Sequence, residues 1–520
     1  DLSASEQQIW EHYLAVNRRG ITIDTAFAAK AASLAIPLVD GLNSRLHSIT
    51  CTAPSPCNKL SCNGVDKASR VAALKKFLAE RFKIHVTSLD KEGVTDLLED
   101  KTLDPMAREV LTIRRQVGKK NSVAKYVAAQ ECVSPDGRAR GLIQYHGAHT
   151  GRTSGRMLNA HNMPKGFKEK AQRAAIDTVM NLDARGFLTT YGDKAMDTLS
   201  DASRGMFLAA PGKQLVCADF NAIEARGLFW EAGEQEALDA YARGESPYLD
   251  MARAIYPQIQ FPATVEEVKV SHPVEYDISK RSVLGYGYQM GWKRFQSNIY
   301  TETAKVGKPV WIEDELAKRS QKVYREKYAR VKRLWYDTEA AAINAVRSPG
   351  AIYTCGFAGR IAWAMSVDRR FLLCRLPSGR YLRYWQPSLV GSWRTFCDDE
   401  NCPHMTAFEG AEKCPKRQWK ESLCFMGEHE ETRQWVPLAT YGGALVENFT
   451  QAIARDLMVH GMLNVQKKGY DVLLDVYDEV LAERENPDLN EFVAAMCDKP
   501  AWAATFPVQA DGWIGTRYHK

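Results

Sequence analysis

Apolar residues recur at helical spacing through most of the first 130 positions. Residues 1 to about 50 read as helical, with a turn at Arg19-Gly20 and a short extended piece, "ITID", after it. Thr52 to Asn63, with two prolines and two cysteines, reads as a surface loop. Residues 66 to 130 return to the helical period, as in "ASRVAALKKFLAERF" and "DPMAREVLTIRRQVG". The period changes at "QLVCADFNAIEARGLFWEAGE", which predicts a buried strand over Leu215 to Ala218 and a helix from about Ala222. A mostly helical region follows to about residue 345, then an irregular, strand-rich stretch over 351 to 436 with tryptophans and cysteines. Gly442 to Lys468 predicts one long helix, and an apolar hairpin comes next. No internal repeat or low-complexity tract interrupts this order.

Two acids interrupt the hairpin. In "VYDEVLAE", Asp478 and Glu479 lie between Val472-Leu473-Leu474 and Val480-Leu481, where charge is costly unless something compensates it. A divalent cation is one compensation, and it calls for a second acid from elsewhere. Asp219 ends the apolar strand "LVCAD" directly before a turn into a helix. Two strand-end aspartates that meet in one sheet can hold two Mg²⁺ ions about 3.5 to 4 Å apart. Solvent-exposed acids at two unrelated strand ends are the plainer alternative. In "DISKRSVLGYGYQMG", Lys280, Leu284 and Tyr288 are spaced to share one helix face, and Gly285 and Gly287 leave the neighbouring surface open. A glycine costs roughly 1 kcal/mol in a helix relative to alanine. Close approach of something flat, such as a base pair, would account for two of them, as would a loosely packed core helix.

These segments resemble known ones in a consistent order. "ADFNAIEARG" resembles motif A of the family A DNA polymerases, "KRSVLGYGYQMG" their motif B and "DVYDEVLAE" their motif C. "TGRTSGRMLNAHNMP", Thr150 to Pro164, has the family's T-G-R-x-S opening and N-x-P ending, and "ENFTQAIARDLM" is similar to its glutamine-bearing helix. The resemblance spans the whole chain. The text between motifs, such as "YHGAHTGR" and "LPSGRYL", looks most like polymerases of tailed bacteriophages and prophages.

The resemblance implies an α+β, multi-domain right hand with an antiparallel-sheet palm and helical fingers and thumb. Residues 1–65 would lead into the palm, 66–130 form the thumb, 131–228 and 440–520 the palm, and 229–439 the fingers. It implies a DNA-templated DNA polymerase working on primer-template DNA and deoxynucleoside triphosphates. Asp219 and Asp478 would hold two Mg²⁺ ions, with Mn²⁺ as a substitute, the carbonyl of Phe220 would complete one shell, and Glu479 would assist. Lys280 would contact the triphosphate, Leu284 and Tyr288 the nascent base pair, and Tyr248 a phosphate. Glu224 would be the steric gate against a ribose 2'-hydroxyl. Arg152 and Gln451 would read minor-groove acceptors, with Asn162 and Tyr477 nearby on the DNA, and Lys119 and Lys120 on the thumb would grip phosphates. The chain departs from the family at Tyr276, where an arginine is usual, at Leu284, where an aromatic ring is common, and at Tyr248 and Tyr477, where histidines are usual. Arg281 replaces the missing arginine only if the helix is turned by about 100°. The departures leave two other readings open, a single-subunit RNA polymerase and a catalytically silent DNA-binding derivative, and Glu224 argues against the first.

Composition adds less. Apolar residues make up 45% and charged residues 25% of 520, which is ordinary for a globular protein, and no apolar stretch is expected to reach the roughly 18 residues of a membrane span. The net charge of +6 says little, but Arg108, Arg114, Arg115, Lys119, Lys120 and Lys125 face only Glu109 in their stretch. That run reads as a solvated helix face or as a surface for a polyanion. The twelve cysteines are scattered, which suits a reducing, intracellular setting, and the phage resemblance implies the cytoplasm of a bacterial host cell. Cys397, Cys402, His404 and Cys414, with Cys424 as a spare, could bind a structural Zn²⁺; Cys51, Cys57 and Cys62 are a weaker group, and reduced loop cysteines are the simpler reading of both. The residues before the thumb are too few for an editing exonuclease, which would be absent or would precede Asp1. A monomer is expected, with replication accessory proteins as possible partners.

Overall fold

The computed structural model describes residues 2–51, 64–86, 88–100, 102–304, 310–395, 417–429 and 432–520. Cys57, Cys62, Cys397, Cys402, His404 and Cys414 lie outside the described residues. Cys424 is buried in the strand Arg417–Glu428.

The helix α1 (Thr25–Thr50) starts where the Asp24 side chain accepts from the Phe27 amide at 2.8 Å. By length and composition it could cross a membrane, contrary to the expectation that no stretch would. Lys30 and Asp40 break the run by eye, yet the alanines between them keep it apolar on average. Its buried side, with Phe27, Ala31, Leu34, Leu38 and Leu46, packs on the helices Pro105–Val117 and Lys120–Glu131. Phe27 meets Tyr126 edge-on with centroids 5.4 Å apart. α1 therefore shares a core with the helices of residues 105–131.

The palm is a four-stranded antiparallel sheet collected from distant parts of the chain. Its inner strand β1 (Gln214–Phe220) leads through Asn221 and Ala222, the latter at φ +49°, into α2 (Ile223–Ala232). The helical region then includes α3 (Pro273–Tyr286) and α4 (Ala329–Arg347). The strand-rich stretch forms one four-stranded sheet over Tyr353–Cys355, Ile361–Met365, Phe371–Arg375 and Tyr381–Trp385, lying against α4, and a three-stranded one over Ser388–Thr395, Arg417–Glu428 and Trp435–Ala439. The chain returns through α5 (Gly442–Lys467) to β2 (Asp471–Val476), β3 (Glu479–Arg484) and β4 (Ala510–Gly515). The palm order is β2-β3-β1-β4. Leu215 to Ala218 are buried because β1 has a neighbour on each edge and helices behind it.

Two contacts fix α5 against the fingers. A Cβ on Gly442 would overlap the Trp335 carbonyl oxygen, and one on Gly443 would overlap that of Tyr288. The helix can approach α4 and the turn after α3 only because both positions lack side chains. Gly442→Ala is expected to destabilise the protein by roughly 1 to 3 kcal/mol through this overlap, read as a lower denaturant midpoint.

α2 also carries a fully buried carboxyl. Both oxygens of Glu231 lack a hydrogen-bond partner among the described residues, and burial raises its pKa to about 8 against the opposing charge of Arg360. Between its ordinary value of 4.5 and about 8 the folded chain keeps a proton that the unfolded chain has lost. Stability from this group is therefore present at low pH and falls as pH rises through that window. Glu231→Leu is expected to flatten this fall and to stabilise the protein at pH 8 by roughly 1 to 3 kcal/mol in denaturant unfolding.

Candidate active site

The hairpin register decides where the acids go. Val476 pairs with Glu479, so Tyr477 and Asp478 form a two-residue turn, with Tyr477 at φ +60°. β3 lies beside β1 with Glu479 opposite Asp219, and the Phe220 amide donates to the Asp478 carbonyl at 3.0 Å. The two strand-end aspartates thus meet, close enough for the charge of Asp219 to act on Asp478. Burial, and then the charge of Asp219, raises the Asp478 pKa to about 7. Asp219 Oδ1 is buried with no hydrogen-bond partner among the described residues. On the other side of β1, Asp511 pairs with Asp219 and accepts from Asn221 at 2.9 Å. Asp511 has no sequence signal of its own, because it joins the site only through the register of β4.

No cluster of three or more His, Cys, Asp or Glu residues among the described ones has the geometry to hold a metal ion. The Asp219/Asp478 pair still suits a divalent cation: two carboxyls crowd together, one oxygen is orphaned, and proximity makes ionising both unfavourable. Glu479 is different. Its Oε1 is 3.5 Å from Arg204 Nη1 and its Oε2 is 3.2 Å from Lys520 Nζ, so both oxygens already face cations. Lys520 Nζ also donates to Asp219 Oδ2 at 2.8 Å. Arg204 and Lys520 escape a sequence reading because neither lies in a motif.

On α3, Lys280 and Leu284 are exposed one turn apart, whereas Tyr288 falls beyond the helix end at Tyr286. The expectation of three residues on one helix is corrected there. Gly285 sits inside the helix and Gly287 caps it, where it is packed against Leu228. Tyr276 and Tyr248 meet edge-on with centroids 6.4 Å apart, and Lys280 Nζ lies 6.0 Å over the Tyr248 ring. Partial desolvation by its surroundings, then the charge of nearby Lys165, lowers the Lys280 pKa. Arg281 points elsewhere: it donates to Asp277 at 2.7 Å and approaches Glu302 at 3.6 Å. It does not replace the missing arginine.

A third group gathers at the start of α2. Arg152 donates to Glu224 Oε1 at 2.5 Å, and Gln451 on α5 donates to Glu447 at 3.2 Å. Burial and the nearby Glu224 raise the Glu447 pKa, and the Tyr288 hydroxyl feels both acids. Arg152, Glu224, Gln451 and Tyr288, distant in sequence, thus share one polar cluster. Glu447 was not foreseen.

Tyr477 is 55% exposed and meets the His161 ring edge-on at 5.5 Å, beside exposed Asn162. The thumb cations are less available than the sequence suggests. Lys119 pairs with Asp197 at 2.8 Å, Lys125 donates to the Asn159 carbonyl at 3.0 Å, and Arg114 donates to that of Leu89 at 3.1 Å. Lys120 remains exposed.

An antiparallel palm bearing paired strand-end acids, flanked by helical fingers and thumb, is the fold of a polymerase domain. The chain superposes on the polymerase domain of Pol1 from M. smegmatis, a structure in complex with DNA primer-template and dNTP, with a TM-score of 0.58 and 15% identity over 98% of this chain and 70% of that one. It is 29% identical over 523 residues to the DNA polymerase of Bacillus phage SP02, covering 99% of this chain and 71% of the relative. No protein-family model matches it. Over nearly its whole length the chain is thus similar to a phage DNA polymerase, and it shares the fold of a polymerase domain.

Proposed function

We propose that this chain is a DNA-templated DNA polymerase that extends a primer 3'-hydroxyl with deoxynucleoside triphosphates, replicating phage or prophage DNA as a monomer inside a bacterial cell. The observation that carries the reading is the meeting of Asp219 and Asp478 at the ends of β1 and the β2-β3 turn. Mg²⁺ ions held by these two carboxylates and the Phe220 carbonyl would acidify the primer hydroxyl and neutralise the departing pyrophosphate.

The chain's own residues account for the remaining steps. Lys280, with Lys165 near it, would offer positive charge to the triphosphate oxygens, which gain charge as the bond breaks. Tyr248 stands behind Lys280 and sets its approach. Leu284, exposed on α3, and Tyr288 offer a surface for the nascent base pair. Arg152 holds Glu224 in place, so the sugar gate has a fixed rotamer; Arg152 and Gln451 test the minor-groove acceptors that all correct pairs share. Asn162, Tyr477 and Lys120 lie on exposed surface suited to the DNA backbone. A Zn²⁺ at Cys397, Cys402, His404 and Cys414 stays a proposal for residues outside those described.

Asp219→Ala and Asp478→Ala are each expected to lower primer extension by about a thousandfold or more while leaving duplex binding within a few-fold, measured by extension and gel-shift assays. Extension at the wild-type rate in either variant would refute the reading. Glu224→Ala is expected to raise ribonucleotide relative to deoxynucleotide incorporation by about tenfold or more in single-nucleotide assays. A wild-type preference for ribonucleotides would instead identify an RNA polymerase.

A further inference from the structure

Glu479 and Lys520 have a relation to the acid pair that neither motif explains. Four charges alternate in a chain across the palm: Arg204 Nη1 to Glu479 Oε1 at 3.5 Å, Glu479 Oε2 to Lys520 Nζ at 3.2 Å, and Lys520 Nζ to Asp219 Oδ2 at 2.8 Å. The segment carrying Lys520 is strapped down. Arg517 pairs with Asp24 at 2.7 Å, the Tyr518 amide bonds the Phe207 carbonyl at 3.0 Å, and the Lys520 amide bonds the Phe167 carbonyl at 3.2 Å. His519 stacks on Trp513 with centroids 3.8 Å apart. Lys520 thus reaches Asp219 from a fixed backbone.

We propose that Lys520 is a positioning residue that divides the two oxygens of Asp219, holding Oδ2 and leaving Oδ1 for a divalent cation. Oδ1 is the oxygen that is buried and without a partner among the described residues. Glu479, with both oxygens facing cations, acts on Asp219 through Lys520 rather than as a ligand itself. Two effects oppose each other. The ammonium repels a cation bound close by, which weakens its affinity, and it fixes the Asp219 rotamer, which favours the reactive geometry. Lys520 therefore lowers metal affinity while raising turnover.

The inference rests on the reading of Asp219 and Asp478 as metal ligands, and the test separates the two. Mn²⁺ binding to the full chain without DNA, followed by electron paramagnetic resonance, is expected to tighten about fivefold or more in Lys520→Gln and Lys520→Met. At saturating metal, the same variants are expected to lose about tenfold in kcat with little change in KM for the nucleotide, and Lys520→Arg to restore both properties. Thermal unfolding checks that each variant is folded. Unchanged or weaker Mn²⁺ binding in both folded variants would overturn the inference. If Asp219→Ala abolishes Mn²⁺ binding at the same time, the active-site reading stands alone; if Asp219→Ala leaves it intact, both fail.

Discussion

The repulsion between Asp219 and Asp478 is the constraint around which the palm is built. Two carboxyls brought together at the end of an apolar sheet oppose each other's ionisation, and burial first, then the charge of Asp219, raises the Asp478 pKa to about 7. Everything near them manages charge. Arg204 and Lys520 offset Glu479, Asn221 engages Asp511, and Asp219 Oδ1 is left without a partner among the described residues. An apolar pair at the same positions would make a more stable sheet and an inert one.

The rest of the molecule brings other groups to that point without filling it. Gly442 and Gly443 let α5 close against α4 and the turn after α3, which places Gln451 and Glu447 beside Glu224 and Tyr288. The Arg152–Glu224 pair then joins the two proposed checks in one contact. If Arg152 reads pair geometry and Glu224 gates the sugar, as proposed, a disturbance of either check reaches the other.

How much of this could be read from the sequence follows from where each signal resides. The strand and helix around Asp219, the hairpin around Asp478 and the long helix α5 are legible because periodicity and turn chemistry are local. The register-dependent residues are not. Asp511 enters the site only because β4 pairs with β1, and Lys520 only because its segment is tied to Asp24, Phe207 and Phe167. The thumb cations show the converse. As a string they suggest a free basic strip, but Lys119, Arg114 and Lys125 are engaged by Asp197 and by backbone carbonyls. The helix α1 misleads through averaging: alanines make it apolar enough to resemble a membrane span, while their small size is what lets it pack inside the thumb.

The strand order of the palm has a consequence for how the chain is made. β1 leaves the ribosome well before either of its neighbours, since β3 and β4 are encoded after the whole of the fingers. Until they arrive, the "LVCA" run has two open edges and no covering sheet, the situation in which nascent strands find wrong partners. Contacts of such long sequence separation form slowly. The active centre is therefore the last part of the palm to be completed, and a chain interrupted anywhere within the fingers has one aspartate of the pair and no sheet to hold it.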